Sequence, residues 1–585
     1  MRRHLYLTLM VGFGGILWCI WPPRATALAG DLADQAAAPA AAATANSSQA
    51  GPVLAERGGR PASEDLLLAE AEKFYRAGDF DHAVQDYERV LQASPNTPEA
   101  YAGLTRVYLK KKDIPQAEAT IRKGVRLADS PAVRVALGEL YFRQGKIPEA
   151  EDEWIRVVNS GSPDARAYFG LSRVRRAASM YQSSRNMLVK AHQLDPSDPE
   201  IRLRWAETLS QAERINFLEE YLAGETNDDD ETRTSMRQYL DYLKARAQDP
   251  RGGCHLVNDV VTTETPLVRL LSAPRYIRGF GLSVMVNGKK SNLLLDTGGH
   301  GFLINRNLAE KAHVVRLADA DIRGVGDRGA KSGYRGLVDS LKIGELEFQN
   351  CAVHVLDQRT VTGEDGLIGA DVFAAFLVDM DFPNEKLRLG ELPARPGENR
   401  KTLSLHTERD DASAYEGEHG KSADQTTPAA TAPPHRPDLH DRYIAPEMAS
   451  YTPVYRFGNA LLVPTSVGEA PRKLFLLDTG STSNIISTGA AEEVTKVHTD
   501  LHSLVQGLSG SVKSVYMADK TVMQFGHLLQ ENQGLVAFDL KHLSDSTGTE
   551  VSGILGFATL HMLDIKIDYR DGLVDFSYDP KRWGR

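Results

Sequence analysis

With 585 residues, 42% hydrophobic and 25% charged, the chain has an ordinary globular composition and is too long for one core, so several domains are expected. A formal net charge of −10 argues against a nucleic-acid-binding surface. The N-terminus reads as an export signal: Arg2-Arg3, an apolar run from Leu5 to Trp21, and Ala27-Leu28-Ala29 as a small-x-small cleavage site. Cleavage removes Arg2, Arg3 and Arg24 and no acid, taking the charge from −10 to −13. Left uncut, the same run is nearly long enough to span and reads as an inner-membrane anchor. Trp18 before Cys19 argues against a lipid-attachment site. Cys254 and Cys351 then remain, to be paired in an oxidising compartment or left as two buried thiols.

Residues 30–62 are rich in Ala, Pro, Ser and Gly, a flexible tether. From residue 63 to 250 the pattern is helical and repeats. Gly78-Asp79 with Ala83, Lys112-Asp113 with Ala117, and Gly145-Lys146 with Ala150 recur at spacings of 34 and 33. Leu137-Gly138, Tyr141, Ala150 and Trp154 make the cleanest copy, Asp164 to Pro196 a degenerate fourth, and a partial fifth begins at Pro199. The pattern resembles tetratricopeptide repeats, which stack helix pairs into a superhelix. That resemblance implies a groove for a protein partner or peptide; a spacer is the bland alternative, and no groove residue stands out.

Pro250-Arg251-Gly252-Gly253 ends the helical region, and β signals follow. Within residues 251–392 and 442–585 one phrase occurs twice. Leu293-Leu294-Leu295 runs into Asp296-Thr297-Gly298-Gly299, and Leu476-Leu477 into Asp478-Thr479-Gly480-Ser481. After each come Phe302-Leu303-Ile304 or Ile485-Ile486, then an apolar-apolar-Gly element, Ile368-Gly369 or Leu555-Gly556. From Gly298 to Gly369 is 71 residues and from Gly480 to Gly556 is 76, an internal duplication. Residues 393–441 between the halves are charged and Pro/Ala/Thr-rich, hence a loose linker; His419, His435 and His440 there are not read as a metal site, because a mobile segment preorganises nothing.

An apolar strand ending in Asp brings a carboxylate to a cleft floor, and two such carboxylates share one proton. The doubled phrase resembles the active-site motif of the retropepsin and pepsin family of aspartic proteases. The resemblance implies two all-β lobes about a pseudo-twofold axis, with Asp296 and Asp478 as the catalytic pair. It implies no metal or organic cofactor. Thr297, Gly298, Thr479, Gly480 and Ser481 become active-site scaffold, with the Ser481 hydroxyl expected to donate to Asp478. Ile368-Gly369 and Leu555-Gly556 brace the catalytic loops. Gly324-Val325-Gly326-Asp327-Arg328-Gly329 fits a dinucleotide fingerprint by letter, but no helix follows, and it lies where the resembled family has its flap. Gly507-Leu508-Ser509-Gly510-Ser511 is its counterpart, a near miss to a nucleophile elbow. Gly324, Gly326, Tyr334, Gly507, Gly510 and Tyr516 are flap candidates. Asp379, Asp381, Asp564 and Asp568 alternate with apolar residues and are expected to face solvent.

The reading is an exported, periplasmic or secreted endopeptidase acting on peptide or protein substrates. An N-terminal all-α repeat superhelix precedes the two β lobes. An inactive peptide-binding scaffold of the cell envelope is the alternative, and pairing of lobes between chains remains open.

Overall fold

The computed structural model describes residues 62–396 and 440–583, with breaks at 162, 225–227, 274–275, 328, 360, 362 and 501–504, together with Cys19–Ile20. The expected export signal, apart from that pair, the tether up to residue 61 and linker residues 397–439 lie outside the described residues.

Helices fill the first part: α1 (Ala62–Ala77), α2 (Phe80–Ala93), α3 (Pro98–Lys110), α4 (Ile114–Leu127), α5 (Pro131–Arg143), α6 (Ile147–Asn159), α7 (Ala165–Ala177), α8 (Tyr181–Leu194), α9 (Pro199–Ala206), α10 (Gln211–Ala223) and α11 (Asp230–Gln248). Asp79, Asp113, Ser130 and Asp164 cap helix N-termini by accepting backbone N–H bonds, which is why the repeat breaks where it does. Ala83, Ala117 and Ala150 are fully buried where paired helices approach. Trp154 is wedged against the backbone of two neighbouring helices; a Cβ at Gly138 or Gly170 would lie 2.6 or 2.3 Å from its ring. The first helices of the repeats carry a dense ion network. Arg166 reaches Glu139, Asp198 and Glu200, and Arg76 meets Asp195 at 2.7 Å, tying the first repeat to the fourth.

Lobe one contains β1 (Val268–Ala273), β2 (Tyr276–Val286), β3 (Lys289–Asp296), β4 (Phe302–Asn305), β5 (Val315–Ile322), β6 (Lys331–Ile343), β7 (Leu346–Leu356), β8 (Gly366–Gly369), β9 (Leu377–Asp381) and β10 (Lys386–Gly390). Lobe two contains β11 (Tyr455–Phe457), β12 (Ala460–Val467), β13 (Lys473–Asp478), β14 (Ile485–Ser487), β15 (Val497–Thr499), β16 (Tyr516–Phe525), β17 (Leu528–Phe538), β18 (Gly553–Gly556), β19 (Leu563–Asp568) and β20 (Leu573–Tyr578). Strand order is β7-β4-β8-β3-β2-β6-β5 in one sheet and β17-β14-β18-β13-β12-β16-β15 in the other, so the duplication in sequence is a duplication in topology. Cys254 and Cys351 form a disulfide, fastening the segment after the helices to lobe one.

The lobes are joined by a six-stranded sheet in which β9 and β19 run antiparallel, with Asp381 opposite Asp564 and Leu377 opposite Asp568. Here the expectation of solvent-facing aspartates fails. Asp381 and Asp568 are 4% and 0% exposed, and Asp564 hydrogen-bonds the Asp379 carboxyl. Alternation gives a wet face only when water covers one side of a sheet, and this sheet lies between two lobes. Burial and the Asp379 carboxylate push Asp564 up to about 7, and burial with the Asp571 charge pushes Asp568 to about 6. A carboxyl whose pKa is raised on folding stabilises the protein fully below its unfolded value and progressively less as pH rises to the folded value. The melting temperature is therefore expected to fall between about pH 4 and about pH 7. Asp564→Asn should flatten that decline, as scanning calorimetry across the range would show.

The helical part packs on both lobes. At the α5–α6 turn the Glu550 N–H donates to the Arg143 carbonyl at 3.0 Å, the Thr549 hydroxyl donates to the Phe142 carbonyl at 2.6 Å, and Arg143 pairs with Asp545. On lobe one, α11 lies along β5: Arg323 pairs with Glu231, and the Asp321 N–H donates to Gln238 Oε1 at 3.1 Å.

Candidate active site

Strand β3 ends at Asp296 and β13 at Asp478, each after an apolar run that buries the strand on both faces and leaves the carboxylate at its tip. The bracing elements lie parallel beside them. In β8, Ile368 and Gly369 stand opposite Leu295 and Asp296; in β18, Leu555 and Gly556 stand opposite Leu477 and Asp478.

The two loops interlock through their threonines. Thr297 Oγ1 donates to the Leu477 carbonyl and Thr479 Oγ1 to the Leu295 carbonyl, both at 2.8 Å, while each hydroxyl accepts the other threonine's N–H at 3.0 Å. Both residues are almost completely buried. Valine keeps the shape but strands a buried carbonyl and a buried N–H. Thr297→Val or Thr479→Val is therefore expected to cost about 2–4 kcal/mol in chemical denaturation.

Asp296 and Asp478 hydrogen-bond one another within one chain. Glycine is required beside them. A Cβ at Gly298 would fall 2.8 Å from the Asp478 carboxyl carbon, and one at Gly480 would fall 2.6 Å from that of Asp296. Backbone N–H groups of Gly298 and Gly299 donate to Asp296 Oδ1 at 2.8 and 3.0 Å, and those of Gly480 and Ser481 do the same for Asp478. Burial and the neighbouring charge of Asp296 hold Asp478 well above the ordinary carboxylate range; burial raises Asp296 as well. The pair thus holds one proton, with Asp478 favoured as its carrier.

One expected contact is not made. The Ser481 hydroxyl turns away from Asp478 and donates to the Ser483 carbonyl at 3.0 Å. The asymmetry between the halves lies elsewhere, in two residues that the sequence reading did not join. His300 Nδ1 sits 2.6 Å from Asp371 Oδ2, and Asp371 Oδ1 accepts the Gly301 N–H at 3.0 Å. Asp371 follows Gly369 by two positions; Ala558 occupies that place in lobe two, and Thr482 stands where His300 does. His300 and the backbone hydrogen bond hold Asp371 below the ordinary carboxylate range despite burial.

The two hairpin tips, one from each lobe, meet one another. The Ser509 N–H donates to the Val325 carbonyl at 3.0 Å and the Gly324 N–H to Ser509 Oγ at 3.1 Å. Gly326, at φ 130°, passes so close that a Cβ would lie 2.4 Å from the Gly510 carbonyl; Gly507 backs onto the Val325 carbonyl in the same way. Tyr334 stands opposite Val355 and Tyr516 opposite Ala537, matching register positions in the two lobes. Both are half-buried; Tyr334 lies in the body of lobe one under the Arg316 guanidinium, 4.4 Å from its ring centre.

Residues 282–372 match the aspartyl protease family model. Residues 74–130, 106–165 and 135–199 match tetratricopeptide-repeat models. The UBA domain-containing protein Mud1 of Schizosaccharomyces pombe is 31% identical over 110 residues, 18% of this chain and 32% of that protein. The chain thus spans about a third of that curated relative's length. Among solved structures, a retropepsin-like aspartic protease from Rickettsia conorii is 19% identical, with 22% of this chain and 92% of that chain covered and a TM-score of 0.17. The aspartic proteinase from Irpex lacteus is 12% identical, with 54% and 97% covered and a TM-score of 0.31. By the family models, residues 282–372 are aspartyl-protease-like and residues 74–199 carry tetratricopeptide repeats, the latter a class of protein-interaction module.

Proposed function

From this aspartyl-protease-like domain and its repeats, we propose an exported aspartic endopeptidase that hydrolyses peptide bonds with a water held between Asp296 and Asp478. The observation that carries the reading is the pairing of two half-buried carboxyls, each lying against the other's Gly and each fixed by two backbone N–H groups. Asp296, ionised, takes a proton from the water as its oxygen bonds to the scissile carbonyl carbon, while Asp478 gives its proton to the carbonyl oxygen. Collapse of the tetrahedral diol breaks the C–N bond, and the proton gained by Asp296 passes to the departing nitrogen. A diol proton returns to Asp478. Substrate lies extended beneath the tips at 324–327 and 507–511 and bonds as an added strand. The hairpins part to admit it and close to exclude water.

The N-terminal segment supports delivery to the periplasm or outside the cell, with inner-membrane anchoring where it stays uncut. The repeats dock a protein partner or the substrate itself. A second reading, an inactive peptide-binding scaffold of the envelope, draws support from the two hairpin tips, which are hydrogen-bonded to one another. Incubating the protein with a mixed peptide library, with and without a statine-type inhibitor, separates the two. Inhibitor-sensitive cleavage is expected of the hydrolase; binding without products would replace it with the scaffold.

A further inference from the structure

The two halves of the cleft are compared through strand alternation. Leu294 precedes Asp296 by two residues and Leu476 precedes Asp478 by two, so each leaves its strand on the carboxylate's face. Leu294 shares a buried cluster with Leu303 and Leu367, and their lobe-two counterparts Ile485 and Ile554 cluster with Leu476. An opposite hairpin tip covers each row, Leu508 the lobe-one row and Val325 the lobe-two row, and the difference lies in what else packs there. The lobe-two row is continuous with the helical repeats through Phe142, Ile147 and Trp154. At the α5–α6 turn a Cβ on Gly145 would sit 3.6 Å from Leu474, a further residue of the same strand face.

The hairpins beside the two rows differ as well. Phe457 stands opposite Ala460 in lobe two and Leu270 opposite Gly279 in lobe one, so they are counterparts. Phe457 packs edge-on to Phe142 at 5.9 Å, under the helical part. Past Leu270 the lobe-one hairpin has more residues than its lobe-two counterpart, with Leu271 and Tyr276 50% and 47% exposed and Ile277 beside them.

We propose that the helical repeats wall off the lobe-two end of the cleft, so that a bound polypeptide continues only along lobe one, over Leu271, Tyr276 and Ile277. The inference rests on the hydrolase reading. A pseudo-twofold axis through the scissile bond sets counterpart surfaces against opposite arms of the substrate, so a wall on one lobe shortens one arm alone. The substrates are then chain ends, cut a few residues from a terminus, with the long arm apolar where it crosses the lobe-one hairpin.

The test is a set of quenched fluorescent peptides sharing one scissile sequence, lengthened independently on the N-terminal or C-terminal side. Lengthening one arm is expected to hold or raise kcat/KM, and lengthening the other to lower it at least tenfold beyond a few residues. Substituting Leu271, Tyr276 and Ile277 together by Ser should collapse the ratio between long-armed and short-armed peptides towards one. These residues are exposed, so the fold tolerates the change. Equal tolerance of both extensions would overturn the wall and leave the hydrolase standing. Failure to cut any peptide would remove both.

Discussion

Asp296→Asn and Asp478→Asn are each expected to lower kcat on a peptide substrate by roughly four orders of magnitude while leaving the protein folded. Asparagine has the shape of aspartate, and its Oδ1 can still accept the two backbone N–H bonds that orient each carboxyl now. Loop geometry therefore survives, and what is lost is the exchangeable proton. With Asp296 changed, nothing takes the proton of the water; with Asp478 changed, nothing protonates the carbonyl oxygen. Asp296→Asn also removes the pair's negative charge, so its melting temperature should hold or rise, and Asp478→Asn replaces a protonated, uncharged carboxyl and should leave it near the parent's. Activity assay and calorimetry on the same preparations separate chemistry from folding. Mixing the two variants should restore nothing, because both carboxyls of the pair come from one chain. A single variant retaining a tenth of the parent rate would end the shared-proton mechanism.

The doubled phrase carried most of the site. An apolar strand, Asp-Thr-Gly and a bracing Gly some seventy residues on are local patterns, and their repetition makes the second half predictable from the first. The 34-residue helical period was legible for the same reason: alanine at close helix contacts and aspartate at caps are demands of local geometry. What escaped involves the joining of parts. Nothing local marks Phe142 and Phe457, which meet across the boundary between helices and lobe two. Asp568 looks like an outward residue of a half-wet strand, and only the partner lobe makes it buried. His300 and Asp371 lie 71 positions apart and become a pair because β8 threads beside β3. The signal available was Asp371 itself, a carboxylate two residues after the bracing glycine with no match in the other half. The Ser481 hydroxyl was misassigned because a serine beside a carboxylate has other acceptors within reach, here the Ser483 carbonyl.

Peptide hydrolysis should follow a bell-shaped pH profile displaced to the acid side of neutrality, falling about tenfold per pH unit beyond its upper limb. Below the lower limb the pair takes a second proton and the base is lost. Above the upper limb the last proton leaves and the acid is lost. Burial raises both carboxyls and the Asp296 charge raises Asp478 further, so the upper limb lies above the ordinary range for aspartate. Asp371 adds to this, because its buried negative charge disfavours ionisation of Asp296. The groups facing Asp371 are His300 on its hydrogen bond, Arg456 from β11 and the buried Tyr569. Asp371→Asn removes the negative charge and leaves any positive charge on His300 less neutralised. Both changes favour the ionised pair, so the profile should move to lower pH. A purely structural role for Asp371 would instead depress kcat at every pH without moving the limbs. Melting temperatures over the same range, with Asp564→Asn as background, keep the pH dependence of folding out of the rate. A rate unchanged from pH 4 to pH 9 would mean that no proton is shared between Asp296 and Asp478.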